Sequence, residues 1–130
     1  MLALAQRSIL GRAALHHLAG EIPRHNIQFC GLTFPNALGV AAGFDKDVQV
    51  VPGLALLGFG HIEIGTITPK PQVGNPRPRI FRLPADRALI NRMGFPNVGT
   101  ESAAAKLSHF AQHERHYVIG VSLGKQKETA

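Results

Sequence analysis

Three short apolar runs constrain this chain more than any other feature: LGVAA (38–42), HIEIGTI (61–67) and YVIGVSL (117–123). Each has strand length and is near-continuously apolar, the pattern of strands in a parallel sheet. Between the first two, VVPGLALLG (50–58) predicts a helix with Pro52 in its first turn, where a missing N–H costs little, and a stop at Gly58. Between the last two, a helix is predicted over residues 100–111, with Thr100 as its cap. Strand, helix, strand, helix, strand is the order of βα units feeding a parallel sheet covered on both faces. Three strands with an open edge read as the opening part of a larger α/β domain.

The remaining segments are arranged around that frame. Residues 2–19 predict one loosely amphipathic helix ending at Gly20, and IPRHN (22–26) a linker. IQFCGLTF (27–34) predicts two short β segments pivoting at Gly31, with Cys30 as a small core thiol. TPKPQVGNPRPR (68–79) holds too many prolines for regular structure and predicts a rigid loop, followed by a hairpin of IFRL and ALI around PADR (84–87).

Composition sets the limits. The 130 residues allow at most one ordinary domain, and a lone cysteine excludes an internal disulfide and suits a reducing compartment. Fourteen basic against eight acidic side chains leave a net charge of +6, which favours anionic partners without choosing among them. No Trp and one Tyr leave no aromatic row for stacking bases, so nucleic acid is not an expected partner. No apolar run approaches the roughly 18–20 residues of a membrane-spanning helix. His109, His113 and His116 fall at helical spacing, but they read as a solvated face rather than a metal site. GFG (58–60) lacks the spacing of a dinucleotide fingerprint.

Chemistry is expected where the strands end, because βα folds place ligands at the carboxyl ends of their strands. Those ends read AAGFDK, GTITPK and SLGKQK, and each combines glycine with a hydroxyl or a lysine. Ala42 and Gly43 allow a flat ligand to approach the backbone, and Lys46 beside it can hold a developing negative charge. In LINRMGF (89–95), Asn91 and Arg92 stand between apolar neighbours ahead of Gly94. An amide there suits a ligand edge that shows both a donor and an acceptor. The plain alternative is three polar loops and a surface turn capping the hairpin.

GLTFPNALGVAAGFDKD, GFGHIEIGTITPKPQVGNPRPRIFRL, LINRMGF and GVSLGK together resemble the membrane-associated (class 2) dihydroorotate dehydrogenases, in order and near-regular spacing from Cys30 to Thr129. The resemblance implies the first three strands or so of an eight-stranded βα (TIM) barrel over residues 27–130. Residues 1–26 would form part of a helical extension at a quinone tunnel and membrane surface. It implies FMN as cofactor, held by Ala42, Gly43, Phe44, Asp45, Lys46, Thr66 and Ser122. Dihydroorotate or orotate would meet Lys46, Asn91, Arg92, Met93, Gly94 and Phe95, with Arg82 towards the quinone route. The implied reaction oxidises dihydroorotate to orotate in pyrimidine biosynthesis, with a quinone as acceptor. The implied location is a peripheral one on the cytoplasmic face of a bacterial inner membrane, or alternatively the mitochondrial inner membrane.

The chain departs from the family pattern at several positions. Ser122 stands in place of an asparagine, Ala37 of a proline, Val48 of a glycine, and Pro96 and Gln126 of asparagines. The N-terminal segment is shorter than the family's two-helix extension. The family's serine base and phosphate-binding loops are expected further downstream, so the expectation is an N-terminal portion that neither turns over substrate nor holds FMN tightly alone. The alternative is a non-catalytic barrel piece that binds anions or a partner.

Overall fold

The computed structural model describes residues 1–22, 25–111 and 116–128. His113 and Thr129, named in the sequence readings above, lie outside them, as do Pro23 and Arg24 of the linker. Strands β1 (Ile27–Phe29) and β2 (Leu32–Phe34) form an antiparallel hairpin. A parallel sheet follows from β3 (Gly39–Val40), β4 (His61–Ile67) and β7 (Val118–Leu123), in that spatial order. Helix α3 (Val51–Leu56) connects β3 to β4, and α4 (Gly99–Ala111) precedes β7. The second antiparallel hairpin, β5 (Ile80–Leu83) with β6 (Ala88–Asn91), rises between β4 and α4 as the PADR turn predicts.

Alternation along β4 decides which face is dry. Ile62 and Ile64 are fully buried and pack with Val51 and Leu54 of α3, Ala103 of α4, and Val48 and Ile67. Burying a side chain of this size contributes about 1.5–3 kcal/mol, so this cluster is the main stabilising element. The other face differs from the covered surface that the apolar strands predict. It carries Glu63 opposite Gly120 and Gly65 opposite Ser122, with the His61 ring lying across Gly39. Phe34 of the first hairpin meets His61 edge-on, with ring centroids 5.6 Å apart. Small and polar residues along one side of a parallel sheet leave room for something other than a helix layer.

Three readings are corrected by the structure. Residues 2–19 form two helices rather than one, α1 (Leu2–Ala5) and α2 (Ile9–Ala19). Ser8 causes the break: it is extended, and its hydroxyl accepts from the Gly11 amide to cap α2. Gly11 lets the helices cross closely, since a Cβ there would run into the Ala5 carbonyl. Gln6 fastens the segment to α3, donating to the Gln49 carbonyl and accepting from the Gly53 amide. Cys30 is exposed rather than in the core, because it occupies the tip of the first hairpin. The cap of α4 is Asn97, whose Oδ1 accepts from the Gly99 amide at 2.8 Å, while Thr100 bonds back to the Pro69 carbonyl.

Candidate functional site

The turn after β3 is fixed to β4 from both sides. The Gly43 amide donates to the Gly65 carbonyl at 2.8 Å, and the Gly65 amide to the Asp45 carbonyl at 3.2 Å. From the open face of β4, Glu63 reaches the Ala42 amide with Oε2 at 3.4 Å. These bonds bring residues 42–46 against the carboxyl end of the second strand. Gly65 itself cannot be replaced without rearrangement: its φ is +106°, and a Cβ would stand 2.6 Å from the Ser122 carbonyl.

Asp45 is the buried acid of this turn. Its two carboxylate oxygens accept from the Gln49 and Val50 amides, each at 2.8 Å, at the start of α3. Val50 offers no capping side chain of its own, so Asp45 supplies one from five residues upstream. Its carboxylate is therefore engaged in holding α3, and what it presents towards Gly65 is its backbone.

Lys46, by contrast, is half-buried and makes neither a hydrogen bond nor an ion pair among the described residues. Gly43 has φ +105°, and a Cβ built on it would meet a single atom within 4 Å, the Lys46 Nζ at 3.9 Å. The result is an open glycine face with an unneutralised ammonium beside it. Phe44 next to it is 68% exposed, an apolar ring available to a ligand. At the ends of β4 and β7, Thr66 Oγ1 and Ser122 Oγ lie 3.0 Å apart in one hydrogen bond. Open glycine surface, an ammonium and hydroxyls suit a flat, anionic ligand, and they fit the chemistry of a flavin mononucleotide.

The 91–95 loop stands on a separate support. Asn91 and Arg92 are exposed at the end of β6, and Asn91 Oδ1 makes a long 3.5 Å contact with the Met93 amide. The Arg92 guanidinium donates to the Pro78 carbonyl and lies over the Phe81 ring. Gly94 (φ +73°) and Phe95 (φ +51°) turn the chain back, and Phe95 remains 59% exposed. Among the described residues, no hydrogen bond joins this loop to residues 42–46. Asn97 makes the connection, bonded to both Phe95 and Thr68 just beyond β4.

Residues that the strand-end reading passes over turn out to hold the loops. Asn97 and Gln72 exchange backbone hydrogen bonds at 2.9 and 3.0 Å. The Asn75 amide and side chain hold the Met93 and Arg92 carbonyls. Gln126 and Lys127, past β7, bond to Lys70, Gln72 and Asn75, so the third strand end grips the proline-rich loop. Asn97 had a sequence signal, an asparagine two residues ahead of a helix. For Asn75 and Gln126 the signal is only an amide in a loop.

A cavity of about 1820 Å³ lies elsewhere, between α2, α3 and α4. It is lined by Arg12, His16, Ala55, Phe59, Lys106 and Phe110 among others, and by none of residues 42–46, 66, 91–95 or 122. No group of three or more metal-ligating side chains occurs among the described residues.

A family model described as dihydroorotate dehydrogenase matches residues 25–130. A protein of Roseiflexus sp. (strain RS-1) named dihydroorotate dehydrogenase (quinone) is 55% identical over 111 residues, covering 85% of this chain and 30% of the relative. One of the same name from Thermus thermophilus is 54% identical over 109 residues, 84% of this chain and 32% of its own length. The crystal structure of ligand-free DHODH from Eimeria tenella superposes with a TM-score of 0.77 at 40% identity, covering 94% of this chain and 38% of that one. The chain thus spans about a third of the length of the relatives it matches.

Proposed function

The chain belongs to the dihydroorotate dehydrogenase family, and on that premise we propose that it forms one wall of a site that oxidises dihydroorotate to orotate. The observation that carries this reading is the unpaired Lys46 ammonium beside the open face of Gly43, next to the Thr66–Ser122 hydroxyl pair. Gly43, Phe44, Lys46, Thr66 and Ser122 would hold FMN, with Ala42 and Asp45 contributing backbone. When bound, the flavin supplies the hydride acceptor, and a quinone is the final oxidant. Lys46 holds negative charge on the substrate side of that wall, since no carboxylate among the described residues neutralises it. Asn91 offers an amide to the substrate edge, and Arg92 to Phe95 close over it. Ser122, shorter than the asparagine of the family pattern, contributes a hydroxyl oriented by Thr66.

The N-terminal helices support a peripheral membrane role. Leu4, Ile9, Leu10 and Leu18 are 73–87% exposed on a segment that carries Arg7 and Arg12, a combination that suits an anionic lipid surface. Among the described residues, no helix is long and apolar enough to cross a membrane. On this reading the chain works at a membrane face from which a quinone is supplied.

A chimera tests the proposal. Residues 25–130 replace the matching segment of the Thermus thermophilus relative, and dihydroorotate oxidation with a quinone acceptor is measured. The chimera is expected to turn over, and Lys46→Ala within it to lose at least about 100-fold, as removal of a preorganised charge does. A chimera that folds and binds FMN but is inert, or is indifferent to Lys46→Ala, would overturn the reading.

A further inference from the structure

We infer that Asn97 is a positioning residue that sets the backbone of the 91–95 loop against the end of β4, an inference that rests on the substrate role proposed above for that loop. Its amide is 6% exposed and makes four hydrogen bonds. Oδ1 accepts from the Thr68 amide at 3.2 Å and the Gly99 amide at 2.8 Å. Nδ2 donates to Thr68 Oγ1 at 2.9 Å and to the Phe95 carbonyl at 2.8 Å. Two acceptor and two donor positions are the side chain's whole capacity, so no rotation or flip improves on this arrangement.

The two halves of the amide serve different parts of the fold. The oxygen joins the end of β4 to the first turn of α4, which is a structural cap. The nitrogen joins the same strand end to Phe95, the last residue of the loop. Phe95 and Gly94 both have positive φ, a conformation that a bulky residue keeps only where its surroundings hold it. On its other side the loop is held through Arg92 and Met93 by Asn75, whose Oδ1 accepts from Lys127 Nζ at 3.2 Å. The loop is therefore held by its carbonyls on both sides. Its exposed Asn91 side chain and Gly94 turn are left for a ligand, at a position set relative to Thr66 by Asn97.

Asn97→Asp separates the halves, because a carboxylate keeps both acceptor positions and loses both donors. Amide hydrogen exchange is followed by NMR in the 130-residue chain without ligand, so the outcome is decided whether or not the dehydrogenase reading survives its own test. The amides of Gln72, Asn75 and Arg92 are expected to exchange about tenfold faster, the scale of one lost hydrogen bond in a locally opening segment. Residues 61–67 and 101–111 are expected to stay within twofold of the unsubstituted chain. Asn75→Ala, on the opposite side, is expected to loosen Arg92 and Met93 with the same sparing of β4 and α4. Unchanged loop exchange in Asn97→Asp overturns the inference. Equal acceleration in the loop, β4 and α4 overturns it too, and so does a chain that no longer folds, since Asn97 would then be a general structural support.

Discussion

Ile62, Ile64 and Ile67 of β4 are at most 1% exposed, whereas no residue in the strands of the β5–β6 hairpin is buried. Both regions are regular β structure, and only the first is held by exclusion of water. The hairpin and the loops beside it are held by side-chain amides that accept and donate at fixed backbone groups: Gln72, Asn75, Asn97 and Gln126. Hydrophobic burial is non-directional and tolerates small shifts, while hydrogen bonds fix distance and angle. A scaffold can rest on the first, but a loop that must present Asn91 and Gly94 at a set position needs the second.

The comparison is tested most severely in the core. Ile64→Ala leaves a cavity under α3 and α4 and is expected to cost about 2–5 kcal/mol, read as the shift in a urea unfolding curve followed by circular dichroism. Ile90→Ala, in a residue 55% exposed, is expected to cost less than about 1 kcal/mol. Similar losses at the two positions would mean that the hairpin is packed in solution and that the contrast does not hold.

Asp45→Ala examines a polar support inside the apolar region. It leaves the Gln49 and Val50 amides without their acceptor at the start of α3. The expected cost is about 1–3 kcal/mol, smaller than that of Ile64→Ala. Faster amide exchange should be confined to residues 49–53. If the loss spreads evenly through β4 and β7, Asp45 supports the sheet rather than the helix start.

Val48 is a case in which burial and backbone oppose each other. The side chain is 2% exposed and belongs to the core cluster, yet φ is +56°. A β-branched residue there costs roughly 1–3 kcal/mol, which gives a physical reason for the glycine of the family pattern. Val48→Gly loses about 1.5–3 kcal/mol of burial but relieves that strain. The net change is expected to stay within about 1.5 kcal/mol, well under the cost at Ile64. A loss as large as that of Ile64→Ala would show that the strain term is negligible.

What could be read from the sequence follows the same division. The apolar runs at 38–42, 61–67 and 117–123 announce the parallel strands because burial leaves a periodic trace in composition. That Gly43 and Thr66 would come together could be read as well, since the strand order sets the carboxyl ends of the first two strands side by side. Asn97 and Asn75 were missed because an amide in a loop has the same letter whether it bonds fixed groups of the fold or only water. The double role of Asp45 was hidden for the same reason. The break at Ser8 was legible in principle, as a capping residue inside an apparent helix, but the surrounding alanines and leucines masked it.

Cys30 gives the smallest expected effect and separates turn geometry from packing. It and Gly31 form the two-residue connection of the first hairpin, with φ of +48° and +75° and Phe29 paired to Leu32. Positive φ at both central residues is the requirement of a type I′ turn, which Asn-Gly meets better than Cys-Gly. The thiol is exposed, so replacing it removes no core contact. Cys30→Asn is therefore expected to stabilise by about 0.5 kcal/mol through the turn alone, read as a small upward shift of the urea midpoint with an unchanged slope. A loss of stability would mean that the thiol is packed against something, as the sequence had suggested, and that the hairpin is held more like the core than like the loops.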